Sequence, residues 1–481
     1  MVDSTSGATP MKFSRLPKRG IILGLSVPRV VAVSSGIVVF VIALFAGGAN
    51  GALWVSPAWL LAAIAAWTPV GGRHLADWLP LVTRWWRRKL TGQTQYRKRI
   101  QKPRPAGTLA LPGEAAALRK YVDAETGAVM VHDPHRGMLT AIVQVEHPSF
   151  MLLDPGEQER RVASWGRVLS AACRSGRIAR MQVLERTLPD SGHGLAQWWA
   201  EHGTDDGSWV ARVYGELIER AGPIGERHVT TVSIALDMHG AGRAIRAAGG
   251  GMAGAAAVLR QEMTSVTSAL RAAELNPHPW YTAEQLASDL RTAYDPASAA
   301  LIDGSDLGRD LESAGPIGVD EEWGSAQTDG ARHSILWISE WPQAKVLPGF
   351  LTPLLLTSAR RTVSLIFDPV RPDQAAREIR RRKTEYLSDQ VQRSRMGQIE
   401  DARRSAEYED VLQQEADLVS GHGAVRFTGL VCVTASDPDQ LEAAVAVVEQ
   451  SAIQSSLETR RLVGQQAAGF TAAALPLCRG L

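Results

Sequence analysis

The chain has 481 residues, and its formal net charge of +2 conceals a strong asymmetry. Residues 1–104 carry 15 Lys and Arg against only Asp3 and Asp77, whereas the remainder carries 37 basic and 48 acidic residues. Three widely spaced cysteines exclude a disulfide framework and a zinc site built on paired cysteines. The basic segment is typical of a juxtamembrane region facing anionic lipids, so no direct sequence-specific nucleic-acid binding is predicted.

An uncharged stretch of 43 residues, Val30 to Gly72, is the strongest signal in the chain. One membrane span needs about 20 apolar residues, so this length fits two helices joined by a tight turn near Gly47–Gly51. The stretch is far too long for the apolar region of a cleaved signal peptide. We therefore predict a transmembrane helical hairpin over residues 27–72, preceded by a disordered basic N-terminus at residues 1–26.

Basic residues lie on both sides of the hairpin, from Lys12 to Arg29 before it and from Arg73 to Arg104 after it. Positive charge marks the cytoplasmic side of a span. Both termini are therefore predicted to be cytoplasmic. The expected location is the inner (cytoplasmic) membrane, with two spans and most of the chain inside the cell.

The segment 73–112 is predicted to be a basic juxtamembrane helix followed by a proline-rich linker. Tryptophan and arginine side chains suit the boundary between headgroups and acyl chains. Five residues of this helix are the predicted membrane-interface site: Trp78, Trp85, Trp86, Arg87 and Arg88.

Beyond the linker the pattern predicts a membrane-anchored α+β protein. Residues 113–276 form one α+β block, 277–330 a linker and loop region, and 331–481 a second α+β block. Alternating apolar residues predict strands such as Met138–Glu146 and Ala424–Ala435, and helical spacing predicts helices such as Trp209–Ala221 and the short helix Thr282–Ala293. The similar order of strands and helices in the blocks suggests either two compact units or one domain built by duplication.

A long charged helical region, 373–419, interrupts the second block near Gly397. Its Arg, Lys, Glu and Asp residues are typical of a solvated helical hairpin or arm. The alternative is an arm that docks onto a partner subunit. The pattern alone leaves both open, because the apolar residues are too sparse for a coiled-coil seam.

No chemistry of catalysis is evident in the sequence. The chain has no Gly-Lys dipeptide and therefore no Walker A loop for a phosphate. His132 and His135 bracket a predicted turn without a third metal ligand, and no G-x-S-x-G or H-E-x-x-H motif occurs. No catalytic, cofactor-binding or metal-binding residue is predicted, and the protein is expected not to be an enzyme.

The last block resembles the segment that precedes the motor domain in type IV secretion (conjugation) ATPases. The resemblance rests on a strand after Gly423, on the helix start Asp437-Pro-Asp-Gln-Leu441, and on the F-x-x-x-L-P step Phe470–Pro476. The arm at 373–419 also has a counterpart there. The chain thus looks like the N-terminal half of such an ATPase without its motor and with a membrane hairpin added.

Two families share this layout of a hairpin followed by a large cytosolic part. One is an actinobacterial family of integral membrane proteins from conjugation loci, which Arg291–Ala297 and Phe470–Pro476 resemble. It implies a non-enzymatic scaffold of a type IV-like transfer apparatus. The partners implied are membrane lipids, a separate P-loop ATPase, other secretion-channel subunits and further copies of the chain. The alternative is similarity in plan to EccE-type membrane components of type VII secretion, or an enzyme acting at the membrane surface.

Overall fold

The computed structural model of the chain describes residue 13 and residues 26–99, 101, 105–147, 150–190, 192–204, 206–221, 225–303, 310–395 and 402–480. The chain divides into an anchor unit, Arg15–Thr94, and a sheet unit, Met1–Ser14 together with Gln95–Leu481. The predicted disordered segment 1–26 lies outside the described residues apart from Phe13 and Ser26, and so does the predicted interruption at Gly397.

The described part of the anchor unit consists of three helices and a two-stranded ribbon, in the order α1 (Val27–Trp54), α2 (Ser56–Trp67), β1 (Pro69–Val70), β2 (Arg73–His74) and α3 (Leu75–Leu90). Among the described residues, α1 alone is long and apolar enough to cross a membrane, and α2 is apolar but has only 12 residues. The backbone of α1 is non-helical at Gly48, where φ is 58°, a conformation that glycine adopts without strain.

Beyond Gly48 the chain packs back on the first part of α1. Phe40 and Trp59 have ring centroids 6.1 Å apart. Gly36 is buried, and a Cβ atom there would lie 3.2 Å from the Cβ of Ala62. The Nε atom of Arg29 donates a hydrogen bond of 2.7 Å to the carbonyl of Ala66. The packing is antiparallel, with a reversal where the sequence predicted a turn, while the second membrane span stays a prediction.

The sheet unit is built on thirteen strands in one sheet, with every neighbouring pair antiparallel. The strands are β3 (Gln95–Arg97), β4 (Arg119–Val122), β5 (Val129–Asp133), β6 (Met138–Glu146), β7 (Ile178–Pro189), β8 (Glu226–Asp237), β9 (Asn276–Trp280), β10 (Gly318–Glu321), β11 (Ala326–Gln327), β12 (Arg332–Glu340), β13 (Arg361–Val370), β14 (Ala424–Ala435) and β15 (Glu458–Arg461). The predicted bounds of β6 and β14 are confirmed.

Twelve α-helices of the described residues accompany this sheet: α4 (Pro155–Ser175), α5 (His193–His202), α6 (Trp209–Ala221), α7 (Gly242–Ala247), α8 (Gly251–Ala272), α9 (Ala283–Tyr294), α10 (Ala299–Asp303), α11 (Thr352–Leu355), α12 (Pro372–Arg395), α13 (Ala402–Val419), α14 (Pro438–Gln454) and α15 (Gln466–Ala474).

The sheet contains the same strand arrangement twice. The order is β7-β8-β6-β9 in one half and β13-β14-β12-β15 in the other, which is the second, third, first and fourth strand of each set. This is the order of the β-α-β-β-α-β motif called ferredoxin-like. Each half also inserts a helical hairpin between its second and third strands, α5–α6 or α12–α13. The repeated topology is what a duplication would produce, although the first crossover helix is long in one repeat and a single turn in the other.

The two repeats join through their second strands, β7 and β13. In this antiparallel pair Thr362 lies opposite Arg186, and Phe367 lies opposite Met181. Each helical hairpin follows the end of one of these strands. Because the strands run in opposite directions, the two hairpins leave the sheet at opposite ends.

The structure differs from the prediction of a linker and loop at 277–330. Besides α9, whose ends lie within one residue of the short helix predicted at Thr282–Ala293, this range holds most of β9 and the short strands β10 and β11. Leu286, Leu290 and Tyr294 of α9 are buried in the core. The Asp329 carboxylate accepts hydrogen bonds from the backbone N–H groups of residues 317 and 318, which fixes the start of β10. Strands of two to four residues carry too little periodicity to be read as strands from sequence.

Helices cover one face of the sheet, with α4 and α8 packed on the first repeat and α14 on the second. The other face is covered by α9, α15 and the segment after α15. On that second face the central strands carry a row of buried polar side chains. The Gln182 amide nitrogen donates to the hydroxyl of Ser364 at 2.9 Å and to the carbonyls of Ala472 and Leu475 at 3.1 and 3.0 Å.

Candidate interaction surfaces

Helix α3 carries the predicted membrane-interface residues, and four of the five lie at least partly at its surface. Trp86 is 56% exposed, with the Nζ atom of Lys89 5.8 Å from its ring centroid. Arg87 is exposed and Arg88 half-buried. The indole N–H of Trp78 donates to the carbonyl of Val70 at 3.0 Å. This cationic and aromatic helix end suits an anionic headgroup layer.

Trp85 differs from the other four residues, because its side chain is only 8% exposed. The exposed apolar side chains of α3 are instead Leu75, Leu79, Trp86 and Leu90. Their spacing of four, seven and four residues places them along one side of the helix. The sequence analysis missed these leucines, although their helical spacing could have revealed them.

A second apolar surface lies on the hairpin α5–α6 in the sheet unit. Trp209 is 70% exposed and Leu217 56% exposed. The two helices touch through Trp199 and Tyr214, whose ring centroids are 4.7 Å apart. We call the exposed set the apolar hairpin face: Leu195, Trp198, Trp209, Val210, Val213, Tyr214 and Leu217.

Large exposed apolar surfaces of this kind mark contacts with proteins or membranes. The described ionisable residues of the two helices include Glu201, Glu216 and Glu219 against Arg212 and Arg220. These charges nearly balance, so the hairpin lacks the excess of basic residues that attracts anionic lipid, and its surface suits a protein partner better than a bilayer. The sequence analysis identified Trp209–Ala221 as helical but did not predict that its apolar side stays uncovered.

The hairpin α12–α13 is the predicted charged arm, and its surface is mainly charged, although Leu387, Leu412 and Val419 are also exposed. The helices are held together by an ion pair of 2.7 Å between Lys383 and Glu415 and by stacked Tyr386 and Tyr408 rings 4.3 Å apart. Glu378 accepts hydrogen bonds from Arg382 at 2.6 Å and from Arg426 of β14 at 2.8 Å. The second of these bonds ties the arm to the sheet.

Several of the buried polar groups of the sheet pair with one another and are closed off from solvent. Arg186 pairs with Asp289 at 3.2 Å and donates to the hydroxyl of Thr292 at 2.9 Å. The Tyr281 hydroxyl donates to Asp289 at 3.0 Å, and burial raises the pKa of Tyr281 well above its ordinary value. A phenol that stays protonated, facing a paired carboxylate, acts here as structural support.

The residues considered for metal or thiol chemistry are not arranged as a site. Burial lowers the pKa of His132, and within the described part of the chain no cluster of three or more His, Cys, Asp or Glu could hold a metal ion. Cys173, Cys432 and Cys478 are free and buried. Burial raises the pKa of Cys432 to about 12, so this thiol is not activated.

The motifs that resemble conjugation ATPases have structural roles in this fold. The Asp437 carboxylate accepts a hydrogen bond of 2.9 Å from the backbone N–H of Gln440 and so caps α14. Leu441, in the first turn of the same helix, is buried in the core. Phe470 packs against Tyr294 with ring centroids 4.9 Å apart. A capped helix with a buried leucine recurs in unrelated proteins, which explains the resemblance without a shared function.

These surfaces define a membrane-associated α+β protein whose exposed features are suited to contacts. Residues 225–338 match the family model described as "Putative type VII ESX secretion system translocon, EccE". The matched range begins just before β8 and ends within β12, so it leaves out both helical hairpins. A search of curated proteins gives no match.

The family match and the apolar helix α1 together support a membrane component of a secretion system. The match favours the EccE-like alternative over the type IV interpretation drawn from the last block. Type IV secretion, conjugation and an actinobacterial origin receive no support from the comparisons.

Proposed function

We propose that the chain is a non-enzymatic membrane subunit of a type VII secretion apparatus. The observation that carries this proposal is the match of residues 225–338 to the EccE family. The matched segment supplies strands from both repeats and the helices α8 and α9, which belong to the core of the sheet unit. The similarity to the EccE family therefore extends over several elements of the sheet unit and is not confined to a short motif.

Two membrane spans anchor this subunit in our proposal. The residues of α1 before Gly48 supply the length of about 20 residues that one span needs. The residues after Gly48, together with α2, supply a second antiparallel segment of similar length. Phe13, which precedes α1, packs on the sheet unit, which follows α3. Both flanks of the hairpin then lie on one side of the membrane, the cytoplasmic side by the basic residues around it.

Reporter fusions test this topology. Fusions at Gly7 and after Leu481 should both report the cytoplasm, and a fusion inserted at Gly48 should report the outside. Replacing Ile42 by Arg should add about 2.5–3.5 kcal/mol to the insertion free energy of the first span. An external signal from either terminus would contradict the two-span anchor.

The two helical hairpins provide separate contacts with neighbouring subunits in our proposal. The apolar hairpin face suits a lasting contact, since apolar patches dominate obligate interfaces. The charged arm α12–α13 suits a polar and transient contact, for which a separate P-loop ATPase is the proposed partner. The α3 surface, with Trp86 and Arg87, contacts lipid headgroups.

Purification from native membranes tests the proposed assembly. The full chain, tagged after Leu481 and extracted in mild detergent, should bring down other type VII membrane subunits and a P-loop ATPase. A variant lacking residues 374–418 should keep the membrane subunits and lose the ATPase. Recovery of the tagged chain together with the subunits of a conjugation channel would refute the type VII assignment. Recovery of the tagged chain without any partner, under conditions that keep membrane complexes intact, would refute it as well.

A further inference from the structure

Three aromatic side chains of the second repeat form a cleft that holds Phe13. The ring centroid of Phe13 lies 5.3 Å from that of Trp341, 5.4 Å from that of Phe350 and 5.9 Å from that of Phe427. These separations lie in the range where aromatic pairs attract one another. Phe13 precedes the anchor unit in the chain, whereas the three cleft residues come more than 300 positions later.

Two of the three cleft residues are positioned by the sheet. Trp341 directly follows β12 and meets Phe427 of β14 edge to face, with centroids 4.9 Å apart. Phe427 pairs across the strands with Phe367 of β13. The indole reaches this position because residue 429 is glycine, where a Cβ atom would lie 2.8 Å from the Cζ2 atom of Trp341.

We propose that this cleft is a docking site for Phe13 of the same chain. Trp341, Phe350 and Phe427 are only half-buried even with Phe13 in place. Without an occupant they would form an exposed aromatic patch, which soluble surfaces usually avoid. The contact joins a residue that precedes the membrane anchor in the chain to residues that follow it. The docking holds independently of the type VII assignment.

A photo-crosslinker at position 13 tests the docking in the full chain held in lipid nanodiscs. With p-benzoylphenylalanine in place of Phe13, irradiation should give a monomer-sized product. Mass spectrometry should locate the link in a peptide that contains Trp341, Phe350 or Phe427. Links to any other part of the chain, or links found only in a dimer-sized product, would overturn docking within one chain.

Limited proteolysis provides a second readout that needs no crosslinker. Trypsin should cut the full chain after Lys12 and Arg15 about tenfold faster in Phe13→Ala, which corresponds to the loss of about 1.4 kcal/mol of contact energy. Phe350→Ala, which changes the cleft instead of the segment, should accelerate the same two cuts. Trp198→Ala removes an exposed aromatic side chain of α5 and should leave them unchanged. Equal cleavage rates in the wild type and Phe13→Ala would refute the proposal.

Discussion

The hairpins α5–α6 and α12–α13 occupy equivalent positions in the two repeats, yet their surfaces differ. Both connect the second and third strands of a ferredoxin-like repeat, and they leave the sheet at opposite ends. The first exposes tryptophan, valine and leucine, whereas the second is laced with ion pairs. A duplicated sheet can thus keep its strand order while its insertions evolve toward different partners.

The largest expected effect comes from replacing side chains of the apolar hairpin face on α5–α6. Combining Trp209→Glu, Val213→Glu and Leu217→Glu should weaken binding to the partner of α5–α6 by about 100-fold or more, because buried aromatic anchors dominate interface energies. The helix should persist, since all three side chains are exposed. Co-purification and circular dichroism measure the two effects. Glu216→Ala on the same helix is the matched control, and undiminished binding by the triple variant would show that the apolar hairpin face is not an interface.

The second prediction concerns the stability of the sheet from which both hairpins project. Gln182→Ala should lower the free energy of unfolding by about 3 kcal/mol, because it leaves the buried backbone N–H of Cys478 without its acceptor and removes one of the two donors to each of the carbonyls of Ala472 and Leu475. Denaturant titration of the purified chain measures the loss. Gln197→Ala, at an exposed position of α5, should change it little. A loss equal to that control would mean that the polar row adds nothing to stability.

The third prediction concerns pH and the second repeat alone. Burial lowers the pKa of His333 from its ordinary 6.5 to about 3, and the neutral ring lies 2.9 Å from the hydroxyls of both Thr328 and Thr434. Between these two values the unfolded chain binds a proton that the folded chain excludes, so stability falls as pH decreases from 6.5 toward 3. At pH 5 the loss is about 2 kcal/mol, and above pH 6.5 this group contributes no slope. Unfolding titrations at pH 7 and pH 5 should reveal the slope, which His333→Gln should reduce and the exposed-site control His202→Gln should not.

The smallest expected effect concerns the charged arm α12–α13. Arg381→Glu on α12 should weaken the arm's contact with its partner only a few-fold, since exposed ion pairs contribute about 0.2–1 kcal/mol. Raising the salt concentration should weaken this contact further, because exposed charges are screened beyond about 10 Å at 0.1 M. The α5–α6 contact should be insensitive to the same change. A salt-sensitive apolar contact and a salt-insensitive arm would reverse the comparison.

Periodicity predicted the regular elements of this protein well. The strands β6 and β14 and the helix α6 have the predicted bounds, because alternation and helical spacing report which side of an element is apolar. The same spacing does not report whether an apolar side is covered. It therefore did not indicate that Trp209 is exposed, and it placed Trp85 among the interface residues although that side chain is buried, since both outcomes depend on how the helices pack against other elements.

Other features escaped the sequence analysis for different physical reasons. The cleft around Phe13 joins residues separated by hundreds of positions, and no local pattern specifies such a contact. In the sequence, the buried polar side chains under residues 466–480 look like the solvent-facing polar residues of an ordinary strand. Only their hydrogen-bond partners in the structure distinguish them. Resemblance at Asp437–Leu441 reflected helix capping, and so it suggested a function that the family match does not support.

The lid formed by α15 and the segment after it also sets an order of events during synthesis. Apart from the hydrogen bond between them, Gln182 and Ser364 find their partners in residues 472–478, and Ser233 donates to the carbonyl of Pro476 at 2.9 Å. While the ribosome still holds this stretch, the central strands can pair but one face of the sheet stays exposed to water. That face is covered only after the last turn of α15 and the residues up to Cys478 have left the ribosome. Chaperones that shield this open face would act in that interval, which is when contact with neighbouring nascent chains is most harmful.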